Sequence, residues 1–303
     1  MSLIECVPNF SEGRRPEVVG AIRDAIGAVP GARVLDVSTD AWHNRSVITF
    51  AAAPEVIGDA AFAGIREAQR LIDLNAHAGC HPRLGAADVV PFVPLAGTSM
   101  DDCVRVAREL GRRVGDELAI PVYLYERAAT RPGRRNLADV RRGGFEGLRE
   151  RVGSDPAAEP DFGPSRLHPS CGAVAIGARG LLVAFNVFLG TAERDMPVAS
   201  AVARAVRASS PGGLRGVKAL AFEVDGLAQV SMNLVEPEVT TMLQAFDRVR
   251  EEAAARGAAV TSSELVGLAP EGQLDAEGAA RMMLRDFDPG RSIEARLRAA
   301  GLA

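Results

Sequence analysis

"VKALAFEVDGLAQVSMNLV", residues 217–235, reads as two strands folded back on each other. Asp225 and Gly226 both tolerate positive φ, which a two-residue type I′ turn requires, and apolar and β-branched residues fill the runs on either side. Before this hairpin come the strand "LLVAFNVFL", from Leu181, and a helix near Met196 to Val206. After it, Pro237 precedes a helix with Val239, Leu243, Phe246 and Ala253 turned inward, and "VTSSELVGL" closes as a strand. The order β, α, β, β, α, β predicts a mainly antiparallel sheet with its helices on one face, related to the ferredoxin-like arrangement.

The first half repeats the pattern. Pro16 suits a first helical position, and Val18, Ile22, Ile26 and Val29 form one apolar stripe. "VLDV" and "SVITFAA" are strands joined across a loop, "STDAWHNR", residues 38–45. Pro54 opens a helix with Ile57, Ala61, Ile65, Ala68 and Ile72 on one side. "DVVPFVPL" is a strand whose two prolines push it toward a sheet edge. Ser99 begins a capping box for a helix through Cys103, Ala107, Leu110 and Val114, and "IPVYLYE" follows as a strand. The chain is therefore α/β, built of two related sandwiches, the first with an added helix and strand. Residues 154–180 carry too much Pro, Gly and Ser for a regular element. A loop of that length is functional or disordered, and it sets subdomains of 1–178 and 179–303.

Of the 303 residues, 47% are hydrophobic and 24% charged, enough for a substantial core. A net charge of −4 gives no general attraction to nucleic acid or to an anionic membrane. Lys218 is the only lysine, a bias that genomic base composition explains. No apolar run reaches the roughly 18 residues of a membrane span, and "MSLIECVPNF" lacks a signal-peptide pattern, so a cytoplasmic location is expected. Cys6, Cys80, Cys103 and Cys171 are scattered, as reduced thiols are. The arginine-rich run from Arg127 to Arg151 also holds acids and reads as a solvated helix face.

Chemistry concentrates in "LNAHAGCHPRLGAADVVPF", residues 74–92. His77 and His81 stand four apart, and Asp88 and His43 could complete a zinc shell, but Gly79 and Pro82 break the helical register that spacing needs. Cys80 neighbours His81, yet adjacent residues of an extended segment point to opposite sides, so no thiolate–imidazole pair is implied. The motifs GxSxG, GxxxxGK[ST] and GxGxxG are absent. General acid/base work by one histidine remains, against the plainer alternative of a packed or surface imidazole.

"ECVPNFSEG", "HNRSVITF", "RLID" with "HAGCHPRLGAADVVPF", "IPVYLYE", "PDFGPS", "AFNVFL", "LAQVSMNL" and "SSELVGL" resemble, in order and along nearly the whole chain, the glutamate formimidoyltransferase (formiminotransferase) family. The resemblance covers the transferase portion and not the cyclodeaminase domain that some members carry. It implies transfer of a formimidoyl group from N-formimidoyl-L-glutamate to N5 of tetrahydrofolate, which is the acceptor substrate. It also implies histidine degradation and one-carbon metabolism as setting, a homodimer, a ligand tunnel between two subdomains, and no required metal. The family's catalytic histidine, in its HPR motif, maps onto His81. Animal members carry an acid where this chain has Ser38, a departure that directs attention to Asp40 as the carboxylate serving the amidine. Arg45 and Arg83, in matching motifs, are expected to clamp substrate carboxylates, with Asn9 adding an amide contact. Folate binding maps onto Asp161, Phe162, Gly163, Pro164, Ser165 and Arg166, with His168 a bystander. The rival readings are formyl rather than formimidoyl transfer, a folate-binding module without turnover, and a metallohydrolase.

Overall fold

The computed structural model describes residues 2–79 and 82–302. The chain divides into two compact units between Arg179 and Gly180. The first contains β1 (Ile4–Cys6), β2 (Asn9–Phe10), α1 (Pro16–Gly27), β3 (Arg33–Asp40), β4 (Arg45–Ala52), α2 (Pro54–Leu71), β5 (Ala87–Pro94), α3 (Met100–Leu118), β6 (Val122–Glu126), α4 (Leu137–Val140), α5 (Gly144–Arg151) and β7 (Val174–Ala178). The second contains β8 (Val183–Thr191), α6 (Ala192–Val206), β9 (Val217–Val224), β10 (Leu227–Leu234), α7 (Met242–Ala254), β11 (Ser262–Val266), α8 (Ala276–Arg281) and α9 (Ile293–Ala299).

In the second unit the Asp225–Gly226 turn forms as expected, at φ 50° and 72°, and pairs Leu227 with Val224. The four strands of its sheet pair antiparallel, in the order β11-β8-β10-β9. Phe185, Val187, Met232, Phe246 and Val249 fill the core between sheet and helices. α7 starts only at Met242, where Thr241 and Gln244 form a capping box. Val239 precedes it and is 39% exposed, so it is not one of the inward residues. The cap decides: Thr241 accepts the Gln244 N–H, which ends any helix extending further back.

The first unit repeats that order when β1 and β2 count as one interrupted strand: β3, β4, β1/β2, β5. Phe10, Phe50 and Phe92 are fully buried against Ile22, Ile26, Ile57 and Leu110 of α1, α2 and α3. The sheet then continues in parallel through β7 to β6. β7 lies inside the segment read as irregular. It is a five-residue apolar run, buried throughout and flanked by parallel strands, so it shows no alternation. A further difference is cover on the second face: Leu148 of α5 and Ala158 pack on Val89, Tyr123, Tyr125 and Ala175. Two arginines of the run read as a solvated face belong to this cover, Arg134 bonded to Asp161 and Arg141 to Asp88.

β5 is interior rather than an edge. Pro91 stands opposite Val7, where β1 and β2 are interrupted, and its carbonyl accepts the Val7 N–H at 3.2 Å. It cannot return a donor to the Val7 carbonyl. The Asn9 side-chain amide supplies that donor instead, at 3.2 Å. Asn9→Ala should therefore cost about 1 kcal/mol in urea unfolding. In a Pro91→Ala background, which restores a backbone donor, the same change should cost less; equal costs in both backgrounds would contradict the exchange.

Candidate functional site

β3 runs through Asp40, so the loop expected over residues 38–45 is shortened to four residues, 41–44. Ser38 is paired with Val47 inside the strand and donates its hydroxyl to Asp36 at 2.8 Å. Asn44 closes the turn at φ 48°, a left-handed conformation that asparagine tolerates. Its side chain accepts the Gly13 N–H at 3.0 Å and donates to the Ala78 carbonyl at 3.1 Å. His77 Nε2 donates to the Asn44 carbonyl at 3.1 Å. Backbone crowding explains the glycines: a Cβ on Gly13 would lie 2.3 Å from the Asp40 carbonyl, and one on Gly79 2.6 Å from that of His43. Three segments of the sequence motifs thus meet at the tip of the β3–β4 hairpin.

Charged groups gather there. Asp40 accepts the His43 N–H at 2.9 Å and, through its other oxygen, His43 Nδ1 at 2.5 Å. Burial pushes the Asp40 carboxyl up, but the His43 bonds outweigh it and hold the group below the usual carboxylate range. The buried Glu12 behaves alike: burial opposes its charge, while the Arg14 and Arg15 N–H groups and the Arg15 guanidinium more than offset it. Burial lowers the Arg45 guanidinium to about 10, helped by Arg141 and opposed by Asp88 and Asp40. Arg83 pairs with Glu146 at 2.9 Å. Asp88 accepts the Leu84 N–H at 2.8 Å and bonds Arg141, so neither it nor His77 Nε2 stands ready as a metal ligand.

The proposed folate segment lies apart from this cluster. Phe162 bridges to Val122 of β6, whereas Arg45 is on β4, four strand spacings away, or about 19 Å. The Asp161 carboxylate is occupied structurally, by the Leu124 N–H at 2.8 Å and by Thr130 and Arg134. The Phe162 ring sits against Gly111 of α3, with the Arg112 guanidinium 5.8 Å above it. Gly163 adopts φ 82° and passes so close to Gly115 that a Cβ on the latter would lie 2.5 Å from its nitrogen. Ser165 bonds Glu159, and Arg166 is exposed. His168 Nδ1 accepts the Cys171 N–H at 3.2 Å, which organises a local turn.

His81 and Cys80 lie outside the described residues. The sequence neighbours His77, Ala78, Gly79 and Arg83 reach the hairpin cluster directly or through the contacts above. Sequence reasoning missed Glu12, Arg141 and the Asp40–His43 pair. The spacing of Asp40 and His43 across a four-residue turn was the available signal for the last.

Residues 3–179 match the family described as formiminotransferase domain, N-terminal subdomain, and residues 183–285 match the formiminotransferase domain. The chain belongs to the formiminotransferase family. It is 49% identical to a glutamate formimidoyltransferase of Thermoplasma acidophilum, over 99% of both chains. Against the glutamate formimidoyltransferase of Streptococcus pyogenes serotype M1 identity is 41%, over 96% of this chain and 97% of the other. The formimidoyltransferase-cyclodeaminase of Rattus norvegicus is 44% identical over 88% of this chain, which spans only 50% of that protein. No described helix is long and apolar enough to cross a membrane.

Two outcomes follow from the cluster's electrostatics. Asp88→Ala leaves the Arg141 charge buried without its partner and should destabilise the protein by about 3–5 kcal/mol in denaturant unfolding. His77 is depressed below its ordinary value, first by burial. Its contribution is thus present above the unfolded value of about 6.5 and lost as pH falls below it, because the unfolded chain binds the proton more readily. The urea midpoint should drop between about pH 8 and pH 5, and His77→Gln, which keeps a donor, should lose less over that range. An identical drop in the variant would remove His77 from the account.

Proposed function

We propose that this chain moves the formimidoyl group of N-formimidoyl-L-glutamate to N5 of tetrahydrofolate and releases L-glutamate. The observation that carries the reading is the near full-length kinship to two glutamate formimidoyltransferases. The hairpin cluster suits such a donor. Burial and the nearby Arg141 lower Arg45 while Asp88 and Asp40 oppose them, and a guanidinium so placed suits a carboxylate of the donor. Arg83 offers a second guanidinium for the two carboxylates of the donor. Asp40, held ionised, supplies negative charge beside the cationic amidine. Asn9 uses one amide hydrogen on Val7 and retains a second for a substrate.

His81 is the proposed proton carrier. N5 must lose a proton as it attacks the amidine carbon, and the departing glutamate nitrogen must gain one; imidazole titrates where it can serve. For the acceptor we propose contacts from Gly163, Pro164, Ser165 and Arg166, while Asp161 and Phe162 hold that segment in place. The reaction as written needs tetrahydrofolate as acceptor and no metal. We further infer a homodimer acting in cytoplasmic one-carbon metabolism, a state that sedimentation equilibrium reads directly.

With N-formimidoylglutamate and tetrahydrofolate, the purified protein should form one glutamate per formimidoyl group transferred. N-formylglutamate should be a much poorer donor; preference for it would contradict the reading. His81→Ala should lower kcat by about 10²- to 10⁴-fold with donor affinity nearly unchanged. Full turnover by the folded variant would remove His81 from the mechanism.

A further inference from the structure

We propose that the second unit's sheet, on the face opposite α6 and α7, binds the acylglutamate end of the acceptor, with Arg285 on a carboxylate and Gln229 and Asn186 on the amide. The inference rests on the formimidoyl-transfer reading and deepens its acceptor side.

Alternation along the strands separates two faces. Phe185, Val187, Val230, Met232 and Leu265 join the core formed with α6 and α7. Their neighbours point the other way, and the register lines these up in rows: Ser262, Phe188 and Gln229 in one, Glu264, Asn186 and Ser231 in the next. Polar side chains on a face that met only solvent would be exposed, and on a face packed only on protein they would be paired. Neither holds here. Gln229 is 2% exposed and Asn186 9%, yet neither amide has a hydrogen-bond partner among the described residues. The buried Ser262 hydroxyl has none either. Each amide presents a donor and an acceptor, so the pair matches a group that carries both, a secondary amide.

A cation stands at the end of the first row. Residues 283–285 run alongside β11, where the Ser263 N–H donates to the Met283 carbonyl at 3.0 Å and the Arg285 N–H to the Ser263 carbonyl at 2.9 Å. Leu284 packs toward the core, so Arg285, one residue on, turns to the polar face, its guanidinium 4.5 Å from the centre of the Phe188 ring. It forms no ion pair among the described residues. Stacking uses the flat side of the guanidinium and leaves its N–H edge for a carboxylate. Glu264 and Lys218, the other charges on this face, have partners of their own. Gln229 lies one strand spacing from Phe188, about 4.8 Å, and Asn186 on the diagonal, about 7–8 Å from it. A carboxylate one carbon from an amide nitrogen fits that interval. The p-aminobenzoylglutamate of tetrahydrofolate has this combination, whereas N-formimidoylglutamate carries an amidine, which has no carbonyl acceptor.

Calorimetry on the whole protein tests the site, with p-aminobenzoyl-L-glutamate as probe and p-aminobenzoate as its truncated control. Wild type should bind the glutamate conjugate about ten-fold or more tightly than the control, and Arg285→Gln should abolish that difference without moving the control's Kd. Gln229→Leu and Asn186→Leu should each weaken the conjugate several-fold while leaving the urea midpoint unchanged or raised, because each removes an unmatched buried amide. A lowered midpoint with unchanged binding would make the amides structural and overturn their role. Equal affinity of wild type and Arg285→Gln for the conjugate would overturn the site, as would a variant weakened only toward N-formimidoyl-L-glutamate. Binding is read without turnover, so a wild type that binds the conjugate in this way but transfers nothing would bring down the formimidoyl-transfer reading and leave the site standing.

Discussion

The Asn44 side chain is the constraint on which the rest of the site depends. One amide group, in a left-handed turn, accepts the Gly13 N–H and donates to the Ala78 carbonyl. Three stretches distant in sequence are thereby drawn onto one hairpin tip, and the β3–β4 register then determines where Asp40, His43 and Arg45 stand. Replacing such a residue would leave a buried donor and acceptor unmet as well as straining the turn. The glycines on either side have no such chemistry. Gly13 and Gly79 are there because backbone comes too close for a side chain.

Both units use one βαββαβ plan with the same strand order, but only the first extends its sheet. There α3, β6 and β7 lengthen the sheet in parallel, and α4, α5 and the adjoining coil cover its second face. The extension changes what the strand ends can do. It buries Asp88 under Arg141 and brings Glu146 to Arg83, so the added segment supplies one guanidinium of the cluster and the carboxylate that holds another. Charge placed in this way is expensive to desolvate, and the depressed Arg45 shows where that cost is carried.

Much of this was legible in the sequence, for reasons that differ by element. The Asp-Gly hairpin, the helices opened by Pro16 and Pro54 and the Ser99 cap all rest on local chemistry that a few residues specify. β7 was hidden because a strand buried between parallel neighbours has no alternation, and its surroundings are rich in Pro and Gly. Pro91 misled because its missing donor is replaced by the Asn9 side chain, a substitution visible only in three dimensions. The same applies at the site. Arg45 and Arg83 were nominated by motif, and both join the hairpin cluster. Asp40 was expected in a loop beside the substrate and instead ends a strand, bonded to His43. Asp161 turned out to be committed to β6 and Arg134.

Donor recognition at the β3–β4 hairpin and the segments stitched to it is the central proposal. Hydrogen–deuterium exchange of the whole protein, with and without N-formimidoyl-L-glutamate, tests that placement without relying on turnover. Slower exchange over residues 40–45 and 76–79, with α7 and α9 unchanged, is the predicted result. Protection confined to other segments, with the hairpin and its neighbours exchanging as in the free protein, would contradict it.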